Sequence, residues 1–203
     1  MYKVNLKNTR ERGFTLVELM VTVGIFTVIT GLLLARYTDF DRGIILTNLA
    51  YDVALTIRSA QSASINVKSV PVTSGFSGEF NYPFGVYFTD NSTSFISFAD
   101  ANYDDNRDIG SYNTGEEIAT TNIKRGSRIS DICAGTESSC NNSITELNIV
   151  FRRPDPIAHI VSVDPTNGNK ITTENPYAEI TVASADGSTR KVIVRSTGQI
   201  SVR

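Results

Sequence analysis

Glu18 is the single charged residue in a run of 22 that reaches from Phe14 to Ala35. A charge inside a membrane helix costs about 2.5–3.5 kcal/mol on insertion scales, and such residues usually mark a function. The bond that precedes the run, Gly13–Phe14, indicates what that function could be. A cut there would expose the α-amine of Phe14, which with an ordinary pKa of about 7.7–8.0 is mostly protonated at neutral pH. That cation would stand one helical turn from Glu18, or opposite the Glu18 of a neighbouring helix. Opposite charges on adjacent helices in lipid favour association in one axial register. The chemistry is pairing of charges, with no bond made or broken by the chain itself.

Three further groups carry chemically competent side chains. Cys133 and Cys140 bracket Ala-Gly-Thr-Glu-Ser-Ser. Outside the cytoplasm such a pair can close a small disulfide loop, stabilising by roughly 2.5 kcal/mol in the chain-entropy model. Two free thiols, or a zinc half-site with His159, are the alternatives. Asp100, Asn102, Asp104, Asn106 and Asp108 place oxygens at alternate positions, with Glu116 downstream, as a calcium loop would. The EF-hand pattern fails in both frames: from Asp100 its glycine and glutamate positions hold Asp105 and Ser111, and from Asp104 they hold Ile109 and Gly115. Asp and Asn equally favour a plain solvated turn. Arg190, Lys191, Arg195 and Arg203, with Arg152 and Arg153, form a basic set near the last strands that could contact phosphate. His159 has no nucleophile motif beside it, and no enzymatic constellation emerges.

These residues need elements to hold them. The first thirteen residues carry Lys3, Lys7, Arg10 and Arg12 against Glu11. The apolar run that follows, as a helix, is about 33 Å long, enough for a hydrocarbon core of about 30 Å. It is too long for a signal-peptide core, and Leu34-Ala35-Arg36-Tyr37-Thr38 offers no small-residue cleavage site. The basic residues before the span outnumber Arg36 and Arg42 after it, which puts the N-terminus in the cytoplasm and the body of the chain outside. Beyond Arg42, Leu46, Leu49, Val53, Ile57 and Ala60 recur at helical spacing, so one helix is expected from Phe14 to about Asn66.

After Val67 the period changes to two. Strands are expected at 84–88, 95–99, 118–123, 147–151, 179–183, 191–195 and 200–203, with a hairpin at Asp186-Gly187 and loops at 71–83, 102–115 and 164–176. The class is α+β: a long N-terminal helix packed on an antiparallel β-rich head. With 203 residues, 40 % of them hydrophobic and 20 % charged, the chain can build a core, which excludes fibrous and wholly disordered classes. Losing the first thirteen residues would take the net charge from −2 to −5, a field that opposes nucleic acid.

The stretch Gly13-Phe14-Thr15-Leu16-Val17-Glu18-Leu19-Met20 resembles the processing site of type IV prepilins and type II secretion pseudopilins. The resemblance covers the leader and the apolar run. It implies cleavage after Gly13 by a membrane aspartyl prepilin peptidase, N-methylation of Phe14, and pairing of Glu18 with the amino terminus of the next subunit. It also implies other pilin or pseudopilin subunits and an inner-membrane assembly platform as partners, and no catalytic role. The corresponding layout is a leader at 1–13, a transmembrane and filament-core helix at 14–35, an amphipathic helix at 36–66 and an external head at 67–203. Many major pilins carry a proline near the end of the apolar run where this chain has Ala35. The segment Asn48-Leu49-Ala50-Tyr51-Asp52-Val53-Ala54-Leu55, followed by Arg58-Ser59-Ala60-Gln61, resembles H-type minor pseudopilins and related minor pilins, the GspH/FimT group. Certain minor pilins of that group bind DNA through an arginine-bearing C-terminal tail, so a DNA-uptake or adhesive tip subunit is the alternative role. Here Gly198–Arg203 holds one arginine where that motif holds two. Some members of the wider family use calcium loops.

Overall fold

The structure, a computed structural model, describes residues 13–66, 82–101, 110–164 and 171–203. It holds one helix among them, α1 (Leu16–Ile65), close to the expected bounds. The chain divides into two compact units, Met1–Asp41 and Arg42–Arg203.

In the first unit, Leu16–Leu34 is long and apolar enough to cross a membrane, with a mean hydropathy of 2.2. None of that window is buried by the chain itself. In the second unit α1 is amphipathic in fact as well as in pattern. Ala50, Val53 and Ile57 are wholly buried and Leu46 nearly so, while Tyr51, Leu55 and Arg58 face outward. Three polar side chains on the same helix fasten it to the head. Ser64 Oγ donates to the carbonyl of Phe151 at 2.6 Å, Gln61 Nε2 to that of Pro156 at 2.9 Å, and Arg58 Nη2 to that of Ile200 at 3.3 Å.

The rest of the second unit is two antiparallel sheets. The first joins β1 (Phe84–Thr89), β2 (Ser94–Ala99), β3 (Glu117–Asn122), β6 (Glu146–Phe151), β7 (Ala158–Asp164) and β8 (Ile171–Asn175) in the order β3-β2-β1-β6-β7-β8. The second joins β4 (Arg128–Thr136), β5 (Ser139–Asn141), β9 (Tyr177–Ala183), β10 (Thr189–Arg195) and β11 (Ile200–Val202) in the order β11-β10-β9-β4-β5. Alternate residues of each, such as Phe84, Val86 and Phe88 from one and Ala178, Ile180 and Val182 from the other, enter a single core with the inner face of α1. The hairpin turn between β9 and β10 falls at Asp186-Gly187, where Gly187 has a φ of 87°.

The chain departs from the expected pattern at four strands. β4 was hidden because its register slips between Ile129 and Asp131, which breaks the two-residue period. β5 is only three residues long. β7 is apolar on both faces: Ile160 points to the core, while Val161 and Val163 are buried on the opposite side. The expected loop at 164–176 is corrected, since 171–175 within it pairs with β7 as β8. Its β-branched Ile171-Thr172-Thr173 favours a pleat, and Pro176 ends it. Residues 67–81, which include most of the loop expected at 71–83, lie outside the described residues.

Candidate functional site

Helix α1 begins one residue after Thr15, and the local bonding explains why. Thr15 Oγ1 accepts the backbone N–H of Glu18 at 3.2 Å, and the carbonyl of Thr15 accepts that of Leu19 at 3.1 Å. Thr15 is thus the N-cap and Glu18 stands three residues inside, as in a capping box. The spacing Thr-x-x-Glu was visible in the sequence but not read as a cap. Gly13 and Phe14 precede the helix and are exposed, Phe14 by 75 %. A cut between them would leave the cap and every helical residue on the downstream product. It would also put an ammonium at the positive end of the helix dipole, where a carboxylate is favoured by about 0.3–1 kcal/mol and a cation disfavoured. Glu18 supplies that carboxylate in the first turn. The surrounding apolar side chains are largely open, from 51 % at Ile29 to 75 % at Phe14, so the segment requires lipid or other helices.

The other candidate groups are arranged as follows. Cys133 and Cys140 are joined in a disulfide, with Cα atoms 5.6 Å apart, across the β4–β5 hairpin. Gly135 inside that loop has a φ of 149°, and a Cβ there would stand 2.5 Å from the carbonyl oxygen of Ser139. The bridge holds the turn that presents Glu137.

Of the expected calcium set, Asn102, Asp104, Asn106 and Asp108 lie outside the described residues. Asp100 and Glu116 are both buried. Glu116 uses each carboxylate oxygen as an acceptor for the backbone: Oε1 from Ala101 N–H at 3.1 Å and Oε2 from Asn113 N–H at 2.8 Å. It therefore ties Ala101 to Asn113. The segment around Tyr112 is fastened across the outer face of the first sheet. Tyr112 donates its N–H to Asn148 Oδ1 at 3.0 Å, and its ring lies 4.8 Å from Tyr87 and 5.5 Å from Phe98. Burial, helped by Glu146, pushes the Tyr87 phenol up to about 12. Among the described residues no three His, Cys, Asp or Glu side chains gather as a metal site would need.

The basic set is divided by the strand register. Lys191, Arg195 and Arg203 share the outer face of the second sheet, whereas Arg190 points the other way. Two of the three are neutralised: Lys191 Nζ lies 2.7 Å from Glu179 Oε1, and Arg195 Nη2 lies 2.6 Å from Glu137 Oε1. Nearby, burial and the neighbouring Asp90 and Glu179 hold the Asp131 carboxyl above its ordinary range. His159, in β7, is 2.6 Å from Glu174.

A family model described as the prokaryotic N-terminal methylation motif matches residues 8–34. No curated protein and no solved structure matches the chain. The motif implies processing by a prepilin peptidase and assembly with other pilin subunits, and with the apolar helix it fits inner-membrane anchoring. This motif, carried on a long N-terminal helix followed by an antiparallel β-rich head, supports a chain of the type IV pilin and pseudopilin kind, a family that is structural rather than enzymatic.

Proposed function

We propose that the chain is a minor subunit of a type IV pilus or type II secretion-like pseudopilus, of the GspH/FimT kind. In this reading the peptidase cuts between Gly13 and Phe14, Phe14 is N-methylated, and residues 14–35 pass from the membrane into the filament core. The amine of Phe14 and the carboxylate of Glu18 on the adjacent subunit set the axial stagger. The N-terminus starts in the cytoplasm and the head, from about residue 67, stands outside, joined by the amphipathic part of α1. The head's Cys133–Cys140 bridge suits a subunit that works in an oxidising compartment.

The observation that carries the reading is the cap. Thr15 starts the helix two residues after Gly13, so cleavage removes the basic leader without unwinding the anchor. Intact mass and N-terminal sequencing of the protein from native membranes or sheared filaments test it. A chain starting at Phe14 with one added methyl group is the expected result. A chain still starting at Met1 in cells with active peptidase would overturn it.

A further inference from the structure

Among the described residues, no strand pairs with the outer edge of β3 in the first sheet. β3 is the outermost strand there, its six residues are all exposed, and it contains no proline and no charge after Glu117. The edges formed by β5 and β11 are three residues each. Natural sheets usually shorten, charge or cover their edges, because a bare one recruits another strand. Ile123 N–H bonds to the carbonyl of Thr93, and the register pairs Thr121 with Phe95 and Ala119 with Ser97. The alternation of an antiparallel ladder then turns the N–H and C=O of Thr120 and Asn122 outward, away from β2.

A groove runs beside that edge, between β3 and the outer flank of α1. One part, about 530 Å³, is lined by Leu55, Ser59, Ile118 and Ala119 among others. A second, about 360 Å³, continues it toward Lys124 and Arg125, and the two share Asp52 and Thr121. Leu55 is 61 % exposed and Ile118 42 % exposed at its rim, large apolar side chains that the head leaves in water. The charges along the groove are polarised. Asp52 lies at its middle; Lys124 and Arg125 lie at one end and have no ion-pair partner among the described residues.

We propose that this edge and groove bind an extended segment of a different polypeptide, which adds to β3 as an antiparallel strand. The proposal does not depend on which filament the chain joins. Running antiparallel, the segment meets Lys124 and Arg125 with its N-terminal end, so that end is acidic and a base there is repelled. Its two residues opposite Thr121 and Ala119 point into the groove and are large aliphatics, because the wall there is made of small side chains. Main-chain bonds to Thr120 and Asn122 supply affinity and the groove supplies selectivity, the usual division of labour in strand addition. A second copy of β3 is a poor occupant. Its groove-facing residues are again Ala119 and Thr121, too short to fill the space, and a symmetric pair would bring two Asp52 carboxylates together.

The test uses the full chain in detergent micelles and a fluorescein-labelled probe, Asp-Thr-Leu-Thr-Leu-Thr-Lys, read by fluorescence anisotropy. Saturable binding is expected, weakened at least tenfold when the terminal Asp and Lys are exchanged or both leucines become threonine. Thr120→Pro removes one outward N–H, a place where an edge strand tolerates proline, and should also weaken binding at least tenfold. Ala119→Leu fills the groove from the chain's own side and should do the same, which keeps the test decisive if the proline variant fails to fold. No saturation at millimolar probe overturns the proposal. So does equal affinity for the exchanged probe or for Ala119→Leu, and so does self-association of the chain through β3 in place of probe binding.

Discussion

Glu18→Gln separates two roles that the same side chain could play. In the isolated chain Glu18 occupies the third position of a helix capped by Thr15, whose hydroxyl accepts the Glu18 N–H at 3.2 Å. Glutamine serves a capping box as glutamate does, so the helix start loses only the charge–dipole contribution, about 0.3–1 kcal/mol. In a filament core the same change would remove one partner of an ion pair in a low-dielectric setting. Breaking such a pair costs about 3–5 kcal/mol, because the remaining ammonium is left uncompensated. At about 1.4 kcal/mol per decade, that is a loss of 10²-fold or more in incorporation per contact. The ratio of subunit in sheared filaments to subunit in membranes, by quantitative immunoblot, measures it. Thr15→Ala is the control: it removes the cap, at about 1 kcal/mol, and leaves both charges in place. Incorporation of Glu18→Gln at the wild-type level would refute the pairing argument. Equal losses for Glu18→Gln and Thr15→Ala would reduce Glu18 to a helix cap.

The head offers further tests. Replacing Cys133 and Cys140 with serine opens the eight-residue loop and should lower unfolding stability by about 2.5 kcal/mol, seen as an earlier urea midpoint that reducing agent no longer shifts. Burial and nearby carboxylates raise the Asp131 pKa, so its charged form is disfavoured in the fold; its contribution is present below the ordinary carboxylate range and lost as pH rises through the raised value. Asp131→Asn should therefore stabilise at pH 7, by no more than about 0.5 kcal/mol, and confer no gain near pH 3 in matched melts. The Tyr87 phenol, raised to about 12, favours the folded state while neutral, so stability should fall between pH 10 and about 12. Tyr87→Phe should remove the highest step of the phenolate absorbance titration; persistence of that step would assign it to another tyrosine.

What the sequence revealed and what it concealed follow from which interactions are local. α1 was legible because Leu46, Val53, Ile57 and Ala60 repeat with the helical period and all are buried. Strands such as β6 were legible because Leu147, Ile149 and Phe151 alternate toward one core. β7 was not, because Ile160 is buried on one face and Val161 and Val163 on the other, so its apolar residues do not alternate. β4 was lost to a register slip that only its pairing with β9 defines. The basic set could have been divided by parity alone, since Arg190 and Lys191 are neighbours on a strand. Its neutralisation could not: Glu137 and Arg195 are 58 residues apart and meet only once β4, β9 and β10 are in register. The Thr15 cap is local, carried by the four residues Thr15 to Glu18, and so is legible from sequence.

In the proposed assembly, the exposed anchor would give Glu18 its leverage. Between Phe14 and Leu34 the large apolar side chains are at least half exposed, and lipid tails satisfy them as well as neighbouring helices do. Transfer from bilayer to filament therefore gains little from the hydrophobic effect, however large the area that changes partners. What differs between the two environments is close packing and the fate of charge. In the proposed assembly the carboxylate and the amine freed by cleavage would keep some water at the edge of the bilayer, whereas between helices each would face the other at a fixed height. A single ion pair can then decide both whether a subunit leaves the membrane and at which level it stops, while the 14–34 sequence stays free to vary in its apolar residues. Exchanging leucine, valine and isoleucine along that run at constant hydropathy should accordingly alter incorporation far less than the one-atom-scale change at Glu18. A result in which the aliphatic exchanges dominate would place the specificity in packing.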